Sequence, residues 1–188
     1  MDLRALTEEA CAKVPGVTPA AAPVQPYPTL RLASAAALKP LVSFLKEKGF
    51  SYLEIITATD WLGPVSPEGY PRGGRNPHPL LPAEPPMAAP ARNPAIAYKP
   101  CFDMLWCLAD IPAKARVFIR LEIPRENASV PSLTGLFKAA DWQEREAFDL
   151  LGIAFDGHPN LKKILTPDFL KGHPLRKDYV HVKDQYDD

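Results

Sequence analysis

The sequence predicts an α+β fold: a mixed β-sheet of about four strands with helices packed on one face, plus an extended C-terminal tail. Three observations carry this. Two strand candidates, CFDMLWCLAD at Cys101–Asp110 and ARVFIRLEI at Ala115–Ile123, follow one another across the turn Ile111-Pro112-Ala113-Lys114, as a hairpin would. The element order is helix, strand, helix, strand, insertion, strand, strand, helix, helix, tail, without the strict alternation of a parallel α/β sheet. And 188 residues, 46% hydrophobic and 23% charged, suffice for one real core.

Residues 1–14 read as a helix, with Leu3, Leu6, Ala10 and Val14 near one face. Five prolines between 15 and 28 make an extended connection. Thr29–Ala33 is a short strand. Ser34 can cap a helix running to Lys48, with Leu38, Leu41, Val42 and Leu45 on its buried face and Gly49 ending it. Pro40 lies inside that span and implies a late start or a kink. Phe50–Thr59 is rich in β-formers. Residues 63–94 hold ten prolines and four glycines, too little apolar surface to offset their ordering entropy. They read as a solvated loop between two strands or as an arm laid on a neighbour. In Ala115–Ile123, Val117, Ile119, Leu121 and Ile123 alternate with Arg116, Arg120 and Glu122. Pro131 starts a short helix through Lys138. The chain thus divides into an N-terminal helix at 1–14, an α+β domain at 29–140 with its insertion at 63–94, and a motif helix with a partner-binding tail at 141–188.

Composition narrows the function. Formal net charge is zero, so no overall field draws the chain to nucleic acid or an anionic membrane. Cys11, Cys101 and Cys107 form no C-x-x-C pair and read as core thiols in a reducing compartment. No secretory leader and no run of about 18 apolar residues is visible, so membrane association is expected only through a partner.

The richest stretch is Asp141–Tyr179. Asp141 and Glu144 have the spacing of a capping box, Gly152 that of a left-handed C-cap, and the helix reads as Trp142–Leu151. Arg145 and Asp149, four apart, can pair across one turn. Asp141, Glu144, Glu146 and Asp149 against Arg145 make this helix acidic. Residues 156–177 are basic, through Lys162, Lys163, Lys171, Arg176 and Lys177 against Asp156 and Asp168. Gly157-His158-Pro159 and Gly172-His173-Pro174 set two sharp turns. Leu161, Ile164 and Leu165 form an apolar patch beside the lysines. Glu144 and Glu146, two apart, share no helical face and make a poor acid–base pair. His158 and His173 lack a nearby thiolate pair for a metal. The basic run lacks the aromatic interleaving of a nucleic-acid site. Charge, apolar patch and rigid turns together suit an acidic protein partner.

These residues resemble the 30 kDa subunit family of respiratory complex I, the NADH:quinone oxidoreductase. The family pattern runs through Glu144-Arg145-Glu146, Asp149, Leu150-Leu151, His158, Lys162 and Ile164-Leu165, at matching spacing. Lys163 stands within it. The closing motif is Gly172-His173-Pro174-Leu175-Arg176-Lys177-Asp178-Tyr179. The likeness covers residues 30–62 weakly and 101–180 well. It implies a non-catalytic scaffold subunit of the complex's peripheral arm, with no activity of its own. Such a subunit binds no cofactor itself, FMN and the iron–sulfur clusters being on other subunits. Its implied partners are the 49 kDa-type quinone-site subunit and the PSST-type iron–sulfur subunit, with other peripheral-arm subunits nearby. Its implied place is the cytoplasmic face of the bacterial inner membrane. The insertion at 63–94 departs from the family and leaves open an equivalent subunit of a membrane-bound [NiFe] hydrogenase or F420H2 dehydrogenase.

Overall fold

The computed structural model describes residues 2–22, 26–63, 94 and 97–179. The expected insertion at 63–94, its end residues apart, and the tail at 180–188 lie outside the described residues.

Helix α1 (Leu3–Lys13) starts where the Asp2 carboxylate accepts the amides of Arg4 and Ala5, at 2.9 and 3.2 Å. Helix α2 (Leu38–Glu47) follows one 3₁₀ turn at Ala35–Ala37. The regular helix begins late enough that Pro40 falls in its first turn, where the missing N–H costs little. Ser34 makes no side-chain cap there. Leu38, Leu41, Val42 and Leu45 are buried, on the face their spacing predicts.

The expected strands form as β2 (Thr29–Leu32), β3 (Tyr52–Asp60), β4 (Cys101–Asp110) and β5 (Ala115–Pro124). A fifth, β1 (Val17–Ala20), comes from the segment expected to be a plain connection. The sheet order is β1-β2-β5-β4-β3, with β2 and β5 parallel and the other neighbours antiparallel. Gly16, at a φ of 81°, allows the turn into β1. Val117, Ile119, Leu121 and Ile123 share one apolar cluster with Phe102, Met104, Trp106 and the buried residues of α1 and α2. That burial off one sheet face drives the fold. On the other face Arg116 bonds Glu54, Arg120 bonds Asp103, and Glu122 bonds Arg31 and Lys99. The Cys107 thiol, pushed up to about 12 chiefly by burial, donates to Glu54 at 3.0 Å and is the inert thiol expected.

One expected element is corrected. Residues 131–138 form no helix. Ser129–Pro131 is strand β6, which pairs in parallel with β7 (Ala154–Asp156). Pro131 disfavours helical dihedrals at Val130, and buried Val130 and Leu133 hold the segment extended. Only a single turn follows, as Leu136 and Phe137 donate to the Leu133 carbonyl.

Candidate functional site

The motif residues gather around helix α3 (Ala140–Leu151), which ends at Gly152 in the left-handed conformation, as its spacing predicts. The N-terminus differs. Ala139, not Asp141, is the N-cap, and no capping box forms. Glu144 is fully buried instead. Its carboxylate accepts the Ser132 hydroxyl at 2.7 Å and the Leu133 amide at 2.6 Å, pinning the loop before the helix. Burial raises its carboxyl above the ordinary range, more than these two donors lower it. Next to it, Gln143 accepts the Ile56 amide on β3 and ties the helix to the sheet edge.

The expected Arg145–Asp149 pair does not form either, because both side chains bond the segment that follows. Residues 157–179 form a strap along α3, tied at 141, 145 and 149, three positions one turn apart on one helix face. The His158 Nε2–H donates to the Asp141 carbonyl at 3.2 Å, while His158 Nδ1 accepts the Asn160 amide at 3.0 Å. Arg145 donates to the carbonyls of Lys162 and Lys163, at 3.1 and 3.3 Å. Asp149 accepts the amides of Ile164, Leu165 and Thr166 at 3.0, 2.8 and 2.8 Å, and the Thr166 hydroxyl. Burial alone would raise this carboxyl. The Thr166, Leu165 and Ile164 donors outweigh it and hold it at about 2.

The strap then closes the helix end. His173 Nδ1–H donates to the Asp149 carbonyl at 2.8 Å, and the Leu175 amide to the Leu150 carbonyl at 2.9 Å. Carbonyls that a helix leaves unpaired are thus met by the second Gly-His-Pro turn. Gly172 and Pro174 shape that turn, Gly172 at a φ of 81°.

The last turn of the strap docks on the sheet. Buried Arg125 donates to Asp60 at 2.9 Å and by both terminal nitrogens to Asp178, at 3.0 and 2.5 Å. Asp178 holds Arg125 above its ordinary value, Asp60 adding to this, and Arg125 in turn holds Asp178 below the usual carboxylate range. The Lys177 amide donates to Asp60 at 2.9 Å. Arg176 donates to the Arg125 carbonyl, and both guanidinium groups lie about the Phe102 ring, at 5.4 and 5.5 Å from its centroid.

Of the residues singled out by sequence, Glu144, Arg145, Asp149, His158, His173, Arg176 and Asp178 are engaged within the chain. Lys163 donates to the Leu170 carbonyl, and Ile164 is half-buried. Glu146, Lys162, Leu165 and Lys177 are exposed. Sequence reasoning missed Asp60, Arg125, Ser132 and Gln143. The only local signal was a charge at the last residue of β3, Asp60, and another just past the end of β5, Arg125. No cluster of three His, Cys, Asp or Glu suited to a metal occurs among the described residues. No helix among them is long and apolar enough to cross a membrane.

Comparison with known proteins agrees with the motif. Residues 32–185 match the family described as respiratory-chain NADH dehydrogenase, 30 Kd subunit. An NADH-quinone oxidoreductase subunit of Moorella thermoacetica is 38% identical over 146 residues, covering 77% of this chain and 75% of its own. Subunit 5 of the Thermus thermophilus enzyme is 54% identical over 65 residues, which are 35% of this chain and 31% of its own. The solved trypsin-resistant fragment of Nqo5 (1–134) superposes with a TM-score of 0.56 at 27% identity, covering 86% of this chain and 100% of the fragment. An archaeal membrane-bound sulfane sulfur reductase, a respiratory membrane complex, shares the fold, with a TM-score of 0.61 at 18% identity over 94% of this chain and 84% of that one. With its motif helix, strap and sheet in place and the family match spanning most of its length, this chain belongs to the 30 kDa subunit family of the respiratory-chain NADH dehydrogenase.

Proposed function

We propose that the chain is a cofactor-free structural and assembly subunit in the peripheral arm of a proton-pumping NADH:quinone oxidoreductase. It packs against the 49 kDa-type quinone-site subunit and the PSST-type iron–sulfur subunit. FMN and the clusters reside on other subunits, and the chain reaches the cytoplasmic face of the bacterial inner membrane only through these partners.

One observation carries the reading. The buried ionisable side chains of the motif, Glu144 and Asp149, are filled by intrachain donors and hold the backbone of the loop and strap. A catalytic carboxylate needs a substrate proton within reach. These two carboxylates instead shape a rigid surface, which is what a scaffold requires.

The insertion at 63–94, a departure from the family, leaves open a second reading, the equivalent subunit of a [NiFe] hydrogenase or F420H2 dehydrogenase type complex. Both are tested by purifying the tagged chain from its native membranes in mild detergent, with mass spectrometry and an NADH:quinone assay on the eluate. The first reading expects flavin- and cluster-bearing subunits and NADH oxidation. A [NiFe] subunit would transfer the chain to the second. Recovery of the chain alone, or turnover by the isolated chain, would overturn both.

A further inference from the structure

We propose that α3 and the strap form a docking surface for an acidic protein segment that carries apolar side chains, built on Trp142, Leu165, Phe169 and Leu175 and flanked by Lys162 and Lys171. This rests on the subunit reading above and gives the chemistry of one partner contact.

The strap is inside-out for a free chain. None of residues 156–179 is buried as a whole, yet Leu165, Phe169 and Leu175 are 62%, 58% and 55% exposed. Trp142, on the helix that the strap follows, is 66% exposed. Large apolar side chains scattered singly need no explanation. Four of them on one helix and its strap do, because the strap is held by its hydrogen bonds and by the burial of the His158 side chain and Leu161, while these four side chains stay largely exposed. The polar motif therefore has a consequence for binding: it fixes in advance the backbone that displays these side chains, which removes ordering cost from association. Arg145 joins the parts. Its guanidinium lies 5.9 Å from the Trp142 ring centroid and bonds the carbonyls of Lys162 and Lys163. Aromatic anchors beside arginine are the usual centre of a binding surface.

Charge selects the partner. On the open sheet face Arg31, Lys99, Arg116 and Arg120 each have a carboxylate partner. Lys162 and Lys171 are exposed and form no ion pair among the described residues. Exposed apolar side chains on the same helix and strap as lysines with no ion pair among the described residues are complementary to an apolar segment with carboxylates. An anionic membrane shares that charge, but interfacial binding is served by an amphipathic helix with a continuous apolar stripe, and the strap is irregular backbone.

The test uses the tagged full-length chain in its source membranes, with benzoylphenylalanine replacing Phe169 or Leu165, and Ile111 as an exposed control site. Irradiation at 169 and 165 should cross-link the chain to a net-acidic peptide of a co-purifying subunit that position 111 does not reach. The double variant K162E/K171E, whose exposed sites leave the circular dichroism unchanged, should lower that cross-link roughly tenfold. Cross-links to lipid, to this chain only, or to a neutral or basic peptide would overturn the proposal, as would indifference to the charge reversal. If cluster-bearing subunits co-purify but 165 and 169 cross-link to none of them, this surface falls and the subunit reading stands. If the unmodified chain elutes alone, the subunit reading falls and the surface with it.

Discussion

Gly152 and His173 form the joint between α3 and the strap: a Cβ built on Gly152 would lie 2.5 Å from His173 Cδ2. Gly152 also sits at a φ of 73°, so it both turns the chain and leaves room for the ring that caps the Asp149 carbonyl. Replacing it with alanine should cost about 1 kcal/mol from the backbone alone and more from the clash. The double variant G152A/H173A should lose less than the sum of the single variants, because the clash is then absent. Urea denaturation of the four proteins checks this; strict additivity would mean that the ring and the glycine do not compete for space.

Asp149→Asn should destabilise the chain by roughly 2–3 kcal/mol, since an amide nitrogen would then face backbone donors. Hydrogen exchange should speed up first at Ile164, Leu165 and Thr166, the amides that the carboxylate accepts. Unchanged protection there would show that the strap is held by something else.

Acid should have the same effect. The Asp149 carboxyl is held at about 2, below its unfolded value. The stability this provides, about 2 kcal/mol, is therefore fully present above the unfolded value near 4 and is lost as pH falls through about 2. Glu144 has the opposite sign. Its carboxyl is raised by burial, so its contribution is complete below the unfolded value and is lost as pH rises through the folded one. Glu144→Gln should remove that fall, leaving a stability profile flatter above about pH 4.5. A denaturation series in pH on the two variants separates the terms.

Arg125→Met should cost roughly 3 kcal/mol, because it leaves the buried Asp60 carboxylate without its cation. Asp178→Asn should cost under about 1 kcal/mol, Asp178 being nearly half exposed. Limited proteolysis near residue 176 should increase in both, and more in the first. Equal effects would argue that Asp60 is satisfied without Arg125.

Much of the fold was legible in local pattern. The alternation of Ala115–Ile123, the apolar spacing of Leu38, Leu41, Val42 and Leu45, and Gly152 as a helix stop each report a geometry repeated every two or 3.6 residues, or a single dihedral that few residues adopt. Pattern erred where a nonlocal partner overrode propensity. Ser129–Pro131 was drawn into a parallel pair with Ala154–Asp156, and Val17–Ala20 into an antiparallel pair with Thr29–Leu32.

The candidate site divides the same way. Sequence by itself determined that Glu144, Arg145, Asp149, His158 and His173 belong to one unit, through spacing along a helix and two rigid turns. It also determined the charge of that unit and the family to which the unit is similar. Only the tertiary structure decided which groups these residues meet. The local solutions, a capping box and an Arg145–Asp149 pair, were within reach of the same side chains. They lost because a buried carboxylate is stabilised most where several donors converge, and those donors lie on the Ser132–Leu133 loop and on the strap. Asp60, Arg125 and Asp178 were beyond sequence for the same reason. Residues 65 and 53 positions apart become neighbours only when the sheet has closed and the strap has been laid across it.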